Sequence, residues 1–166
     1  MSNPYTQYQK KYTSGGGDNL FVRLQDGDKK KFRILSEAFY NLNEFTNPDG
    51  EVTVSDRYAW VVWDYEEERC RIFNVGKMIF NAVADLASDD DWGDPMTYDI
   101  KVERAGSGLE TRYTVLPGAK SDPTDEMTEK SLEVDITKII KGAISIEQRM
   151  ADDKNNKSGV EEFFNS

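Results

Sequence analysis

Histidine is absent from the 166 residues, and cysteine occurs once, as Cys70. Those two absences exclude a Cys/His zinc site, a Ser-His-Asp triad, a Cys-His dyad and any disulfide within the chain. No catalytic residues, cofactor or metal are expected, and an enzyme is not the expected class. Cys70 falls in mid-strand and reads as a small buried hydrophobe in a reducing compartment. Apolar runs of about 18 residues are also missing, so no membrane helix is expected. The first residues, MSNPYTQYQKKYTSGGGDN, lack the apolar stretch of a signal peptide, which makes a cytoplasmic location the expectation. Positive charge is in deficit: 31 Asp and Glu against 21 Lys and Arg give a net charge of −10. That argues against a globally basic nucleic-acid binder. A local cationic groove is still compatible with it, because screening beyond roughly 10 Å leaves the nearby field decisive.

What the chain has is aromatic residues in an alternating pattern. Arg57 to Val75, RYAWVVWDYEEERCRIFNV, reads as two strands joined by the acidic turn Glu66–Glu68. Aromatic and β-branched residues at this density favour a pleated sheet. Alternation sends Tyr58, Trp60 and Val62 to one face and Ala59, Val61, Trp63 and Tyr65 to the other. Both faces are apolar, so one core accounts for only one of them unless the sheet is covered on both sides. Nucleobases are a candidate for the second face. Tyr58, Trp60, Trp63, Tyr65 and Phe73 are then stacking candidates. Lys31, Arg33, Arg57, Arg69, Arg71, Lys101 and Arg112 are phosphate candidates. Aromatic platforms beside cations are what sequence-tolerant binding of single strands requires.

Along the chain, residues 1–19 read as a disordered arm, and residues 20–118 as the folded core. Leu20–Leu35 reads as a hairpin about Asp26-Gly27-Asp28. Ser36–Asn47 is either a short irregular helix or a loop. Gly76–Ala87 has the 3.6-residue periodicity of a helix, through Ile79, Val83 and Leu86. The Asp89–Asp91 run stops it, and Trp92 anchors the turn that follows. Thr97–Pro117 is a further hairpin, reversed at Gly106-Ser107-Gly108. Residues 119–154 read as a packing extension with short helices, and residues 155–166 as a flexible tail. In that tail Glu161, Glu162, Phe163 and Phe164 form a docking candidate. Hairpins with one helix between strands suit a mainly β fold with minor α. The specific expectation is an OB-fold-like antiparallel barrel of five to six strands, with one inter-strand helix and short C-terminal helices.

Tyr58–Pro117 resembles the single-stranded DNA-binding proteins of tailed bacteriophages. YAWVVWDY, RIFNVGKMIF, DWGDP and YDIKVERAGSGLETRYTVLP carry the likeness. The resemblance implies an OB-type fold and binding of DNA exposed in phage replication or recombination. It also implies a C-terminal tail that recruits replication proteins such as a polymerase or helicase. The expected function is binding of single-stranded DNA without strong sequence preference. The alternative is an acidic phage protein that docks on a host or phage protein, with the aromatic strands serving only as core. A third reading, paired carboxylates holding a metal at Asp89–Asp91 and Asp94, lacks the EF-hand pattern.

Overall fold

A computed structural model describes residues 20–165 of the chain, with side chains through residue 155. The aromatic hairpin is its centre. Strand β3 (Val52–Asp64) and strand β4 (Arg69–Val75) pair antiparallel, from Tyr58 opposite Val75 to Asp64 opposite Arg69. Asp64 shapes the turn between them. Its carboxylate accepts the Glu66 and Glu67 amides at 3.0 and 3.3 Å, and the Glu68 amide donates to its carbonyl at 2.7 Å. Glu68 takes a positive φ of 55° to complete the reversal.

Four more strands and a short seventh extend the sheet among the described residues. They are β1 (Lys29–Ile34), β2 (Phe39–Thr46), β5 (Tyr98–Ala105), β6 (Arg112–Lys120) and β7 (Ile144–Ser145). The order is β6-β5-β1-β3-β2-β7, with β4 on the other side of β3. β1 takes the last residues of β3 (Phe32 opposite Asp64), while β2 takes the rest, from Ala59 down to Val52. In the β5–β6 connection Gly106 is required: at φ 86° a side chain there would meet the Glu110 carbonyl oxygen at 2.5 Å.

The sheet is covered on both faces, which resolves the apolar character of the aromatic hairpin. On one face Trp60, Val62, Phe73 and Val75 join Phe32, Ile34, Tyr98, Ile100 and Val102 under helix α1 (Lys77–Ala87). That helix inserts Ile79 and Val83, as its periodicity predicts. On the other face Ala59, Val61, Trp63, Cys70 and Ile72 pack beneath Met127 of α2 (Asp125–Ser131), Ile136 of α3 (Ile136–Ile139) and Ala143. Fully burying one such aliphatic or aromatic side chain contributes roughly 1.5–3 kcal/mol. Two cores therefore share a single partition. The last helix, α4, runs Ile146–Asn165.

The barrel expectation is corrected. No ladder among the described residues joins β6 to β4 or to β7, so the sheet is open rather than closed into an OB-type barrel. The strand pairing also departs from expectation near the start of the described chain. Leu20–Leu35 forms no hairpin, because Phe21 makes a parallel bridge with Ile72 of β4 instead. Backbone bonds from Val22 to Ile72 (2.9 Å) and from Ile72 to Leu20 (2.7 Å) hold that contact. β1 pairs with β3 and β5. Residues 39–46, expected as helix or loop, are strand β2, since β3 offers them an eight-residue ladder.

Candidate functional site

An open cleft of about 680 Å³ lies between the end of β4, the start of α1, the segment 21–25 and Tyr113 of β6. This is where a barrel would have had its closing ladder. Asn43 of β2, Arg57 of β3 and Asn74 of β4 enter it from the sheet, and Arg23 and Gln25 from the flanking segment. None of its lining residues is acidic, in a chain with 31 carboxylates.

Arg57 is the notable charge there. Its guanidinium donates to the Asn74 carbonyl at 2.9 Å, and no ion pair with it occurs among the described residues. Burial pulls its pKa below the usual arginine value, with the Tyr113 hydroxyl pushing the other way. The cation has lost hydration without gaining a carboxylate. A methyl group at Gly76 would sit 3.4 Å from Arg57 Nη1, so the guanidinium lies against the amino end of α1. That end has no side-chain cap and no acidic residue in its first turn. Partial positive charge from the helix and full charge from Arg57 thus converge on one rim of the cleft. Asn41 and Asn74 exchange amide hydrogen bonds at 3.2 and 3.3 Å, which holds the floor beside Arg57.

The other basic candidates are placed differently. Arg33 is buried, donating to the Asp99 carboxylate at 2.7 Å, to the Met96 and Ser121 carbonyls at 3.2 and 2.7 Å, and to the Ser121 hydroxyl. Arg71 is buried on Asp64 at 2.8 Å and donates to the Phe21 carbonyl at 2.9 Å. These two arginines tie chain segments together and present no free fork to a phosphate. Lys31 pairs with Asp99 at 3.7 Å and lies 4.4 Å over the Tyr65 ring. Arg69 is half-buried across the ladder from Asp64 and has partners of its own. Lys101 and Arg112 are exposed, away from the cleft.

The stacking candidates are largely occupied by protein. Trp60 and Phe73 are buried in one core and Trp63 in the other. Tyr58 stacks on Phe80 of α1 with ring centroids 3.9 Å apart and meets Tyr40 edge-on. The Tyr65 hydroxyl donates to Asp99 at 2.6 Å, and burial followed by that bond raises its pKa to about 12. Of these five, only Phe73 borders the cleft. The ring that sequence reasoning missed is Tyr113, a half-buried cleft residue; Phe21 also lines the cleft, but packs against the core under α2 and α3. Alternation placed Tyr113 on a strand, but only the long-range fold places it opposite β4.

Asp89 and Asp94, offered as metal ligands, cap turns. They accept the Asp91 and Met96 amides at 2.7 and 2.9 Å. Among the described residues no group of three or more His, Cys, Asp or Glu is placed to hold a metal ion. No described helix is long and apolar enough to cross a membrane. The expected arm at residues 1–19 and the side chains of Glu161, Glu162, Phe163 and Phe164 lie outside the described residues.

Compared with protein-family models, curated proteins and solved structures, the chain matches none. The resemblance to phage single-stranded DNA-binding proteins is therefore corrected. No family match supports it, and the open sheet removes the barrel it implied.

Proposed function

We propose that the protein binds single-stranded nucleic acid, DNA in the first instance, in the cleft at Arg57. One observation carries this reading: in a chain of net charge −10, the cleft gathers Arg23 and Arg57 and no carboxylate. Arg57 supplies a planar fork for a phosphate, and a desolvated guanidinium gains more from an anion than a fully hydrated one. Tyr113 offers ring surface to a base, while the Asn43 and Gln25 amides supply donors and acceptors. Such contacts carry little base identity, so weak sequence preference follows. The cleft is open to solvent, as binding along a strand requires. This reading rests on the cleft and owes nothing to barrel closure or family.

The test is anisotropy of an end-labelled oligo-dT at several salt concentrations, with duplex DNA as control. Binding that falls with salt is expected, because each neutralised phosphate releases counterions. Arg57→Gln weakens it about tenfold and lowers the salt slope by about one. Lys101→Gln, on the exposed side of β5, leaves it unchanged. A folded protein that binds no oligo-dT at low salt overturns the reading, and so does an Arg57→Gln variant of wild-type affinity.

A further inference from the structure

Beyond the cleft, strands β2 and β3 continue as a two-stranded arm. β7 covers the β2 edge only at Phe39 and Tyr40, so from Asn41 to Thr46 that edge has no partner strand among the described residues. The β3 edge is likewise unpaired from Val52 to Arg57, since β4 begins opposite Tyr58. Leu42, Phe45, Val52 and Val54 are each more than half exposed on the arm. Proteins usually guard such edges with lysine, proline or a bulge. Between Phe39 and Asp56 there is no Lys or Arg, and the one proline, Pro48, sits in the turn.

Charge identifies what the edge can accept. The arm carries Glu44, Asp49, Glu51 and Asp56. Asp56 is engaged, accepting from Tyr40 at 2.5 Å and facing Lys77 at 3.6 Å. Glu44, Asp49 and Glu51 form no ion pair among the described residues. Pairing of two arms would set carboxylates against carboxylates with no cation on either side, which disfavours a second copy. A phosphate backbone meets the same repulsion. The β3 edge ends at the Arg57 cation, whereas the β2 edge offers Leu42 and Glu44 on one face and Phe45 on the other.

We infer that the β2 edge, Asn41–Thr46, is a docking strand for an extended segment of a protein partner in which cationic and apolar side chains alternate. Such a segment adds to the sheet in line with β7. It sets lysines or arginines on the face of Glu44 and Leu42, and apolar side chains on the face of Phe45. Main-chain hydrogen bonds supply affinity and the side-chain pattern supplies selectivity.

The test is amide hydrogen exchange on the full chain with a short peptide of alternating lysine and valine. The same peptide with glutamate in place of lysine is the control. Slowed exchange at alternate amides between Asn41 and Thr46 is expected with the lysine peptide alone. Glu44→Lys weakens the effect about fivefold, and Leu42→Pro abolishes it. The Glu44→Lys variant keeps the strand, so its result stands even where the proline variant unfolds the arm. Four results overturn the inference: no protection by the lysine peptide, equal protection by the glutamate peptide, protection along Val52–Arg57 instead, or protection without peptide that grows with protein concentration.

Discussion

From Ala59 to Asp64 every residue of β3 is buried, while from Val52 to Ser55 every residue is exposed. Both stretches carry valine on one unbroken strand, but Val52–Ser55 alternates it with hydroxyls while Ala59–Trp63 is apolar throughout. The neighbourhood differs as well. The upper half has β4 and β1 at its edges and a core on each face; the lower half has β2 alone. Strand propensity set the backbone of both halves, and long-range pairing decided which became core and which became surface. Charges divide the same way. Asp64, at the upper end, is fully buried against Arg71, whereas Arg57, lower down, faces an open cleft without a carboxylate.

The sharpest way to break that contrast is Asp64→Ala. It leaves the Arg71 guanidinium buried without its anion and removes the acceptor for the turn amides, so it should cost about 3–5 kcal/mol in urea unfolding. Next comes a matched pair of valines on the same strand. Val62→Ala, fully buried, should cost about 2 kcal/mol, while Val54→Ala on the arm should stay within about 0.5 kcal/mol. Equal costs for the two would mean that the arm is packed against something.

The boundary between the halves is marked by Tyr40, whose pKa is raised to about 12 by burial and by its bond to Asp56. Tyr65, at the far end of the buried half, is raised to about 12 as well. A raised folded-state value means that the native protein holds the proton more tightly than the unfolded chain. The stabilisation is complete below pH 10 and is lost as the pH climbs from 10 towards 12. Alkaline unfolding followed by circular dichroism should therefore steepen in that window, and the double variant Tyr40→Phe, Tyr65→Phe should flatten it. The smallest expected effect on folding is that of Arg57→Gln. Its stability should match wild type within about 0.5 kcal/mol while oligo-dT affinity falls, which separates a binding role from a structural one.

Much of the upper half was legible in the sequence. The turn at Glu66–Glu68, the periodicity of Ile79 and Val83 and the alternation about Gly106 each gave the right element, because each depends on residues near in sequence. The misreadings were of partnership. Arg33 and Arg71 read as phosphate contacts: Asp99 lies 66 residues from Arg33, and although Asp64 shares a hairpin with Arg71, the Phe21 carbonyl that Arg71 also meets lies far earlier in the chain. Phe39–Thr46 has aromatic residues without clean alternation, and only β3 makes it a strand. For Trp60 and Trp63 the sequence left open whether the second face meets nucleobases or a second cover, because the helices that cover it come more than fifty residues later. Arg57 was legible as a cation. Its cleft was not, being assembled from Phe21, Val75 and Tyr113, which are far apart in the chain.

The shared partition also makes the protein its own pair of optical probes. Trp60 and Trp63 are three residues apart on β3, yet one looks into the core under α1 and the other into the core under α2 and α3. With the third tryptophan, Trp92, which packs against the first core, also replaced by Phe, emission from a chain carrying Trp63→Phe reports the first layer, and from one carrying Trp60→Phe the second. If the α2–α3 layer peels away before the sheet melts, the two signals will separate in time during unfolding. If the sheet transmits damage between the layers, they will fade together.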